Sequence, residues 1–401
     1  VPLDPVIVQR IAKCREQRRT ELDLWGTKAT RFPVEILELT WLRRLNLPWN
    51  LRTLPPGIEA LTELEHLRLG TVHRLPEALG RLPKLRLLQL NGPTRPPEGL
   101  RFVPQLHTLE LVYSRITTPP DVAGLDQLET LLLHGGFRAL PADICALTTL
   151  RELDLDQNAL TVLPPDLARL TRLERLSVAQ NRLTTLPPGL GALLQLRSLD
   201  LDWNAIESLP DDLGPFPALE SLNVGRNHLR TLPAALLQAP RLRSLTLFAN
   251  PWESLPDLSA LRELEGSLSI GGVRTLPAGL GSLKKIKTLT LNTTPLVELG
   301  AELGGLTALE TLHAARCGLE RVHADLGKLT HLRHLDLRDN RLTTLPATLA
   351  ALPLGPNADD SPDFDDSAYS HTPGLRLDGN PIDPAIYRME PAEQIARLSR
   401  E

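Results

Sequence analysis

Three cysteines, Cys14, Cys145 and Cys317, are the chain's candidates for nucleophilic chemistry. A working cysteine needs a base to take its proton and a third group to aim that base. None of the three has a His–carboxylate setting that the sequence reveals, and each sits where a small apolar residue would serve. Cys145 lies in the apolar run Ile144-Cys145-Ala146-Leu147, Cys14 in a helical pattern near the start, and Cys317 in a column otherwise filled largely by asparagine. The glycine pairs Gly135-Gly136 and Gly271-Gly272 stand at strand-to-turn positions, where a small residue eases a bend, and form no phosphate-cradling loop. Asp359, Asp360, Asp363, Asp365 and Asp366 miss the spacing of a calcium loop. No catalytic residue, no metal site and no cofactor is expected.

Recognition chemistry is better represented. Trp25, Trp49, Tyr113, Trp203 and Phe248 each follow a short apolar alternation, at its end or in the turn just after it. Aromatics make up only 3% of the chain, so setting most of the tryptophan on a lip points to a partner that covers it. Asp154, Asp156, Asp200 and Asp202 form an acidic set, flanked by Trp203 and Arg226. Such a set suits a partner that offers Lys or Arg beside an apolar knob. His313, Arg316, Arg333, His334, Asp336 and Arg338 make a more basic patch, suited to an acid- or phosphate-bearing partner. The bland alternatives are rings packed on neighbouring side-chain stems and charges on a solvated face. Trp252, two residues after Asn250, is expected in the core.

What positions these residues is a phrase repeated about fourteen times, L-x-x-L-x-L-x-x-N-x-L-x-x-L-P. It is clearest at 150–164, 173–187, 196–210, 219–233 and 332–346. The L-x-L portion alternates sides as a strand does, and the following P-x-x-L-x-x-L segment returns more leucine to the same interior. No single repeat can bury its own leucines, so order depends on neighbours. The asparagine column runs Thr27, Asn50, Val72, Pro93, Ser114, Gly136, Asn158, Asn181, Asn204, Asn227, Asn250, Val273, Thr294, Cys317, Asn340 and Asn380, which predicts 16 strands. A buried asparagine can satisfy backbone groups where the chain leaves each strand. From Asn158 to Val273 the spacing is a constant 23 residues. Between Asn50 and Asn158 it is 21 or 22, with asparagine absent from Val72 through Gly136, and a locally irregular stretch is expected there. A second column (Arg43, Glu65, Arg86, His107, Glu129, Arg151, Glu174, Arg197, Glu220, Arg243) mostly alternates in charge and predicts a register-fixing ladder.

This phrase is identified as the leucine-rich repeat signature, of the bacterial or cytosolic type with a period near 23 residues. It covers roughly residues 20–390. The resemblance implies an α/β solenoid, a horseshoe with its parallel sheet on the concave face, and a non-enzymatic protein–protein interaction module binding through that face. The layout expected is an N-terminal capping helix at 1–19, repeats at 20–353, an acidic loop insertion at 354–374, and the last repeat with a C-terminal cap at 375–401. A similar layout occurs in plant-pathogen effectors and Roco-type proteins. Two alternatives follow from that similarity: the substrate-targeting part of a larger ubiquitin-ligase or GTPase protein, or a scaffold for small GTPases.

Bulk properties narrow the partner. The 401 residues carry a net charge of −4, which excludes the basic footprint of a nucleic-acid or anionic-membrane binder. No apolar run is long enough to span a bilayer. The segment 1–19 is rich in arginine without a long apolar core, unlike a secretory signal. The chain starts at Val1 rather than Met, which suggests a processed form. Cysteines are few and not clustered into caps, which favours a reducing compartment: the cytoplasm, or a host cytoplasm entered as an effector. A monomer is expected when no partner is bound.

Overall fold

Two leucines separated by one residue share a side only if the backbone is extended, and the chain uses that rule sixteen times. The computed structural model describes residues 3–29, 31–112, 116–355 and 374–399. They belong to two compact units, Val1–Ser198 and Leu199–Glu401. In the first unit the strands are parallel, and their central leucines stack in register: Leu22, Leu45, Leu67, Leu88, Leu109, Leu131, Leu153 and Leu176. In the second unit the same ladder runs Leu222, Leu245, Leu268, Leu289, Leu312, Leu335 and Leu375. All of these leucines are buried. Burial of each contributes about 1.5–3 kcal/mol, so the stack is the main source of order.

Opposite the strands the chain returns through single turns of 3-10 helix, such as Pro165–Arg169. Proline at the entry fixes φ near the helical value, and Leu167 and Leu170 drop into the interior, both fully buried. A short parallel pair, Glu298–Leu299 with Arg321–Val322, lies outside the main sheet. Among the described residues the strands of the repeat number sixteen, as the asparagine column predicts.

That column is the fold's polar clamp. The Asn227 amide donates to the carbonyls of Leu201, Val224 and Gly225, and its oxygen accepts the N–H of Ile206. Asn158, Asn250, Asn340 and Asn380 each likewise grip their own turn and the preceding repeat. Where asparagine is replaced, smaller donors fill in: Thr294 Oγ1 donates to the Ile270 carbonyl at 3.1 Å, and Cys317 Sγ to that of Leu291 at 3.0 Å.

In the stretch between Asn50 and Asn158, where irregularity is expected, the described strands differ from the other repeats. Its strands are longer, not broken: Leu87–Asn91 and Thr108–Val112 hold five residues, against three in most repeats. Without an asparagine to pull the chain off the strand, the ladder continues for another pair, Asn91 opposite Val112.

A second column emerges just before the clamp. Gln157, Gln180, Trp203, Arg226, Ala249, Thr293, Arg316 and Asp339 all have φ between 47° and 59°. These are left-handed conformations that side chains other than glycine rarely adopt. Six of them donate their N–H to a carbonyl of the next repeat, as from Trp203 to Gly225 and from Arg226 to Phe248.

Helix α1 (Pro5–Glu16) is capped by Asp4, whose side chain accepts the Val6 N–H, and it buries Ile7, Ile11 and Cys14. Helix α2 (Pro391–Leu398) buries Pro391, Gln394, Ile395 and Leu398. No described helix is long and apolar enough to cross a membrane. The acidic insertion expected at 354–374 lies outside the described residues except for Leu354, Gly355 and Gly374.

Candidate interaction face

In the first unit Trp25 is half-buried, with the Arg68 guanidinium 3.9 Å from its ring centroid. Arg68 is itself held by Asn91 at 3.1 Å. Trp49 is 45% exposed, and nothing in the described residues stacks on its ring. Its carbonyl lies so close to Gly70 that a Cβ there would stand 1.7 Å away, so glycine is required. Tyr113 lies outside the described residues.

Asp154 and Asp156 are half-buried and tied into the sheet. Asp154 Oδ1 accepts the Asp156 N–H at 2.9 Å and stands 3.0 Å from His134 Nε2. Asp156 Oδ1 accepts from the Ser177 hydroxyl at 2.6 Å and the Ala179 N–H at 2.7 Å. Contact with the Asp154 carboxylate raises the His134 pKa against the effect of burial. Burial works to raise the Asp154 pKa, but His134 and the Asp156 N–H outweigh it and hold it below the ordinary value. Glu110 is pushed up by burial. The expected register-fixing ladder is present here as ion pairs, with Arg151 2.6 Å from Glu174 and 3.7 Å from Glu129. These pairs are exposed and contribute at most about 1 kcal/mol each.

In the second unit four of the expected residues assemble around Arg226. Its guanidinium lies 5.0 Å from the Trp203 ring centroid and 4.5 Å from that of Phe248. Its Nη1 donates to Asp202 Oδ2 at 2.9 Å. Asp200 braces the turn by accepting the Asp202 N–H at 2.9 Å. Asp202 Oδ1 is buried without a hydrogen-bond partner among the described residues. Trp203 is 57% exposed, the most open of the large apolar side chains among the described residues except Val34. Gly225 makes the cluster possible, because a Cβ there would stand 2.8 Å from Asp202 Oδ1 and 3.1 Å from the Phe248 ring. Trp252 is in the core, with its indole N–H donating to the Leu247 carbonyl.

Of the basic patch at 313–338, Arg316 and Arg333 are exposed, and three other members are not on the surface. His313, His334 and Asp336 are 5%, 4% and 2% exposed, so they offer no open surface. Register explains their meeting: the strands place His313 beside Asp336 and Thr311 beside His334. Arg338 holds Asp336 through Nη2–Oδ2 at 2.7 Å and Nε–Oδ1 at 2.9 Å. Burial opposes the Asp336 charge, but His313 and Arg338 beside it keep its pKa well below the carboxylate range. The 23-residue spacing is the signal that could have brought this trio together from sequence. The cysteines are buried, and desolvation pushes Cys145 and Cys317 up to about 11.

A leucine rich repeat family model matches residues 148–206 and 194–251, and a second one matches 328–344. No curated protein matches the sequence. Among solved structures, a leucine-rich repeat protein from Leptospira interrogans is similar at 26% identity and a TM-score of 0.73, over 93% of this chain and 98% of that one. An internalin from Listeria monocytogenes is similar at 21% identity and a TM-score of 0.61, over 82% and 94%. In the structure of the Toll–Spatzle complex from Drosophila, a chain is similar at 23% identity and a TM-score of 0.60, over 90% and 47%. The last two likenesses concern fold alone.

Proposed function

Because this chain is a leucine-rich repeat protein, we propose that it binds a protein partner on the open face of its sheet and catalyses no reaction. Its fold is that of an interaction module in general. The observation that carries the particular reading is the platform in the second unit: Trp203, largely exposed, over an Arg226 already stacked against Phe248 and fixed by Asp202. Holding the arginine in advance lowers the ordering cost of binding. Trp and Arg are also the residue types that most often dominate interface energy.

The chemistry of the partner follows from what the platform presents. The exposed Trp203 ring offers an apolar plate, and the Asp202 carboxylate beside it adds negative charge. A Lys or Arg next to an apolar side chain satisfies both. In the first unit Trp49 is the corresponding anchor, with Trp25 braced by Arg68 in support. Tyr113, Asp154 and Asp156 belong to the same proposal as flanking contacts.

The test is comparative capture. The wild-type chain and a Trp203→Ala/Asp202→Ala variant are each used to isolate bound proteins for identification by mass spectrometry. A partner held by the wild type should be lost from the variant, with affinity down by roughly 30-fold or more, the scale of a single strong anchor. The variant's unfolding transition should stay cooperative. An identified partner bound equally by both would remove the platform from the interface.

A further inference from the structure

We propose that His313, His334 and Asp336 bind one divalent transition-metal ion of the zinc class. One ligand atom from each of the three lies within 4.8 Å of the others. The distance from His313 Nδ1 to Asp336 Oδ2 is 3.9 Å. Zinc bonds of about 2.0–2.1 Å set tetrahedral ligand atoms about 3.3 Å apart. Closing the trio around an ion therefore takes shifts of about 1 Å at the side-chain ends, within reach of small χ rotations.

Position in the sheet supports the site independently. At the rungs occupied by His313 and Asp336, the preceding strands of this unit carry Asn223, Thr246, Ser269 and Thr290. Small polar residues thus give way to an imidazole and a carboxylate at two successive strands. At the other rung Ser221, Ser244, Ser267, Thr288 and Thr311 give way to His334, and the next strand places Gly374 beside it. A glycine there adds no side chain to fill the space next to the ring. The two imidazoles lie 5.0 Å apart, with their planes at 59°. Rings at that angle are tilted rather than stacked face to face.

The carboxylate is aimed before any ion arrives. Arg338 holds it through two guanidinium contacts and adds its backbone N–H to Oδ1 at 3.1 Å. Such support from behind a ligand commonly changes metal affinity by about 10–100-fold. The Arg338 charge also offsets that of Asp336, so the attraction rests on the imidazoles. That selects zinc, nickel or copper over calcium and magnesium, which take more oxygen ligands. The bound ion ties strand Thr311–His313 to strand His334–Asp336. Its fourth position is filled by water, because the three ligands lie beneath the surface.

The experiment uses the full chain, stripped of metal, titrated with zinc(II) and cobalt(II). One ion per chain should bind in calorimetry, and cobalt should show the intense visible absorption of a tetrahedral site. Magnesium should give neither signal. His313→Gln and His334→Gln should each weaken zinc by at least about 100-fold, while Arg338→Lys should weaken it by about 10–100-fold. The variants' metal-free unfolding transitions serve as the check on folding. The proposal is overturned if the wild-type chain takes up no zinc, or if its cobalt spectrum is that of an octahedral aquo ion. Undiminished binding by the double His313→Gln/His334→Gln variant also overturns it.

Discussion

The thiol of Cys317 donates to the Leu291 carbonyl at 3.0 Å, the place that the Asn340 amide fills toward Ala314 at 2.8 Å one repeat later. The two donors are unequal. A thiol is a weak donor, and the Asn340 amide satisfies three carbonyls and two N–H groups together. Asn227→Ala strands the carbonyls of Leu201, Val224 and Gly225 and the N–H of Ile206. A loss of about 3 kcal/mol is expected, against about 1 kcal/mol for Cys317→Ala. Urea denaturation of the two variants measures the difference. Equal losses would show that the clamp is not what holds the turn.

The same burial silences the thiols. Desolvation takes Cys145 and Cys317 up to about 11, and Cys14 is also raised. Since the thiolate is the reactive form, an alkylating reagent at neutral pH should leave all three untouched in the folded chain. All three should react within minutes in denaturant. Mass spectrometry reads the count, and stoichiometric labelling of the native chain at Cys317 would contradict its placement.

His134 and Asp154 make stability depend on pH in a defined direction. The folded-state pKa of His134 is raised above its ordinary 6.5, so its contribution is complete below 6.5 and is lost as pH rises through the folded value. That of Asp154 is lowered below its ordinary 3.8, so its contribution is complete above 3.8 and is lost as pH falls through the folded value. Both shifts describe one contact, which is fully effective between 3.8 and 6.5. Denaturation from about pH 5.5 to about pH 8.5 should show a decline that His134→Gln flattens. An unchanged slope in the variant would separate the decline from this pair.

Gly225→Ala tests the platform without touching its side chains. The added methyl meets Asp202 Oδ1 and the Phe248 ring at 2.8 and 3.1 Å, so the Asp202–Arg226–Phe248 packing must shift. Stability should fall by about 1–2 kcal/mol, the range for overpacking, and partner affinity by about tenfold. Affinity equal to the wild type would mean that the preset arginine does not matter for binding.

The repeat register was legible in the sequence because one physical demand recurs at a fixed interval. Every Leu153 or Leu245 must find an interior, and every Asn227 a set of carbonyls. The phase of burial and hydrogen bonding is therefore written once per turn of the chain. The length of Leu87–Asn91 was not legible because a missing asparagine does not leave a gap; it lets strand pairing run on. In the sequence His313, His334 and Asp336 read as surface because each looks like an ordinary polar rung. Their coverage depends on residues 23 or more positions away. Trp203 and Arg226 were identified singly, but their stacking depends on a glycine between two strands, which composition does not announce.

The eight left-handed residues ahead of the clamp column have a consequence for how such a surface can diversify. Their backbone shape is dictated by carbonyls and amides belonging to others, and their own side chains take no part in it. Glutamine, tryptophan, arginine, alanine, threonine and aspartate all occupy the slot. Each repeat thus carries one letter that mutation can rewrite at little risk to the scaffold. A new specificity can be composed along the array one character at a time.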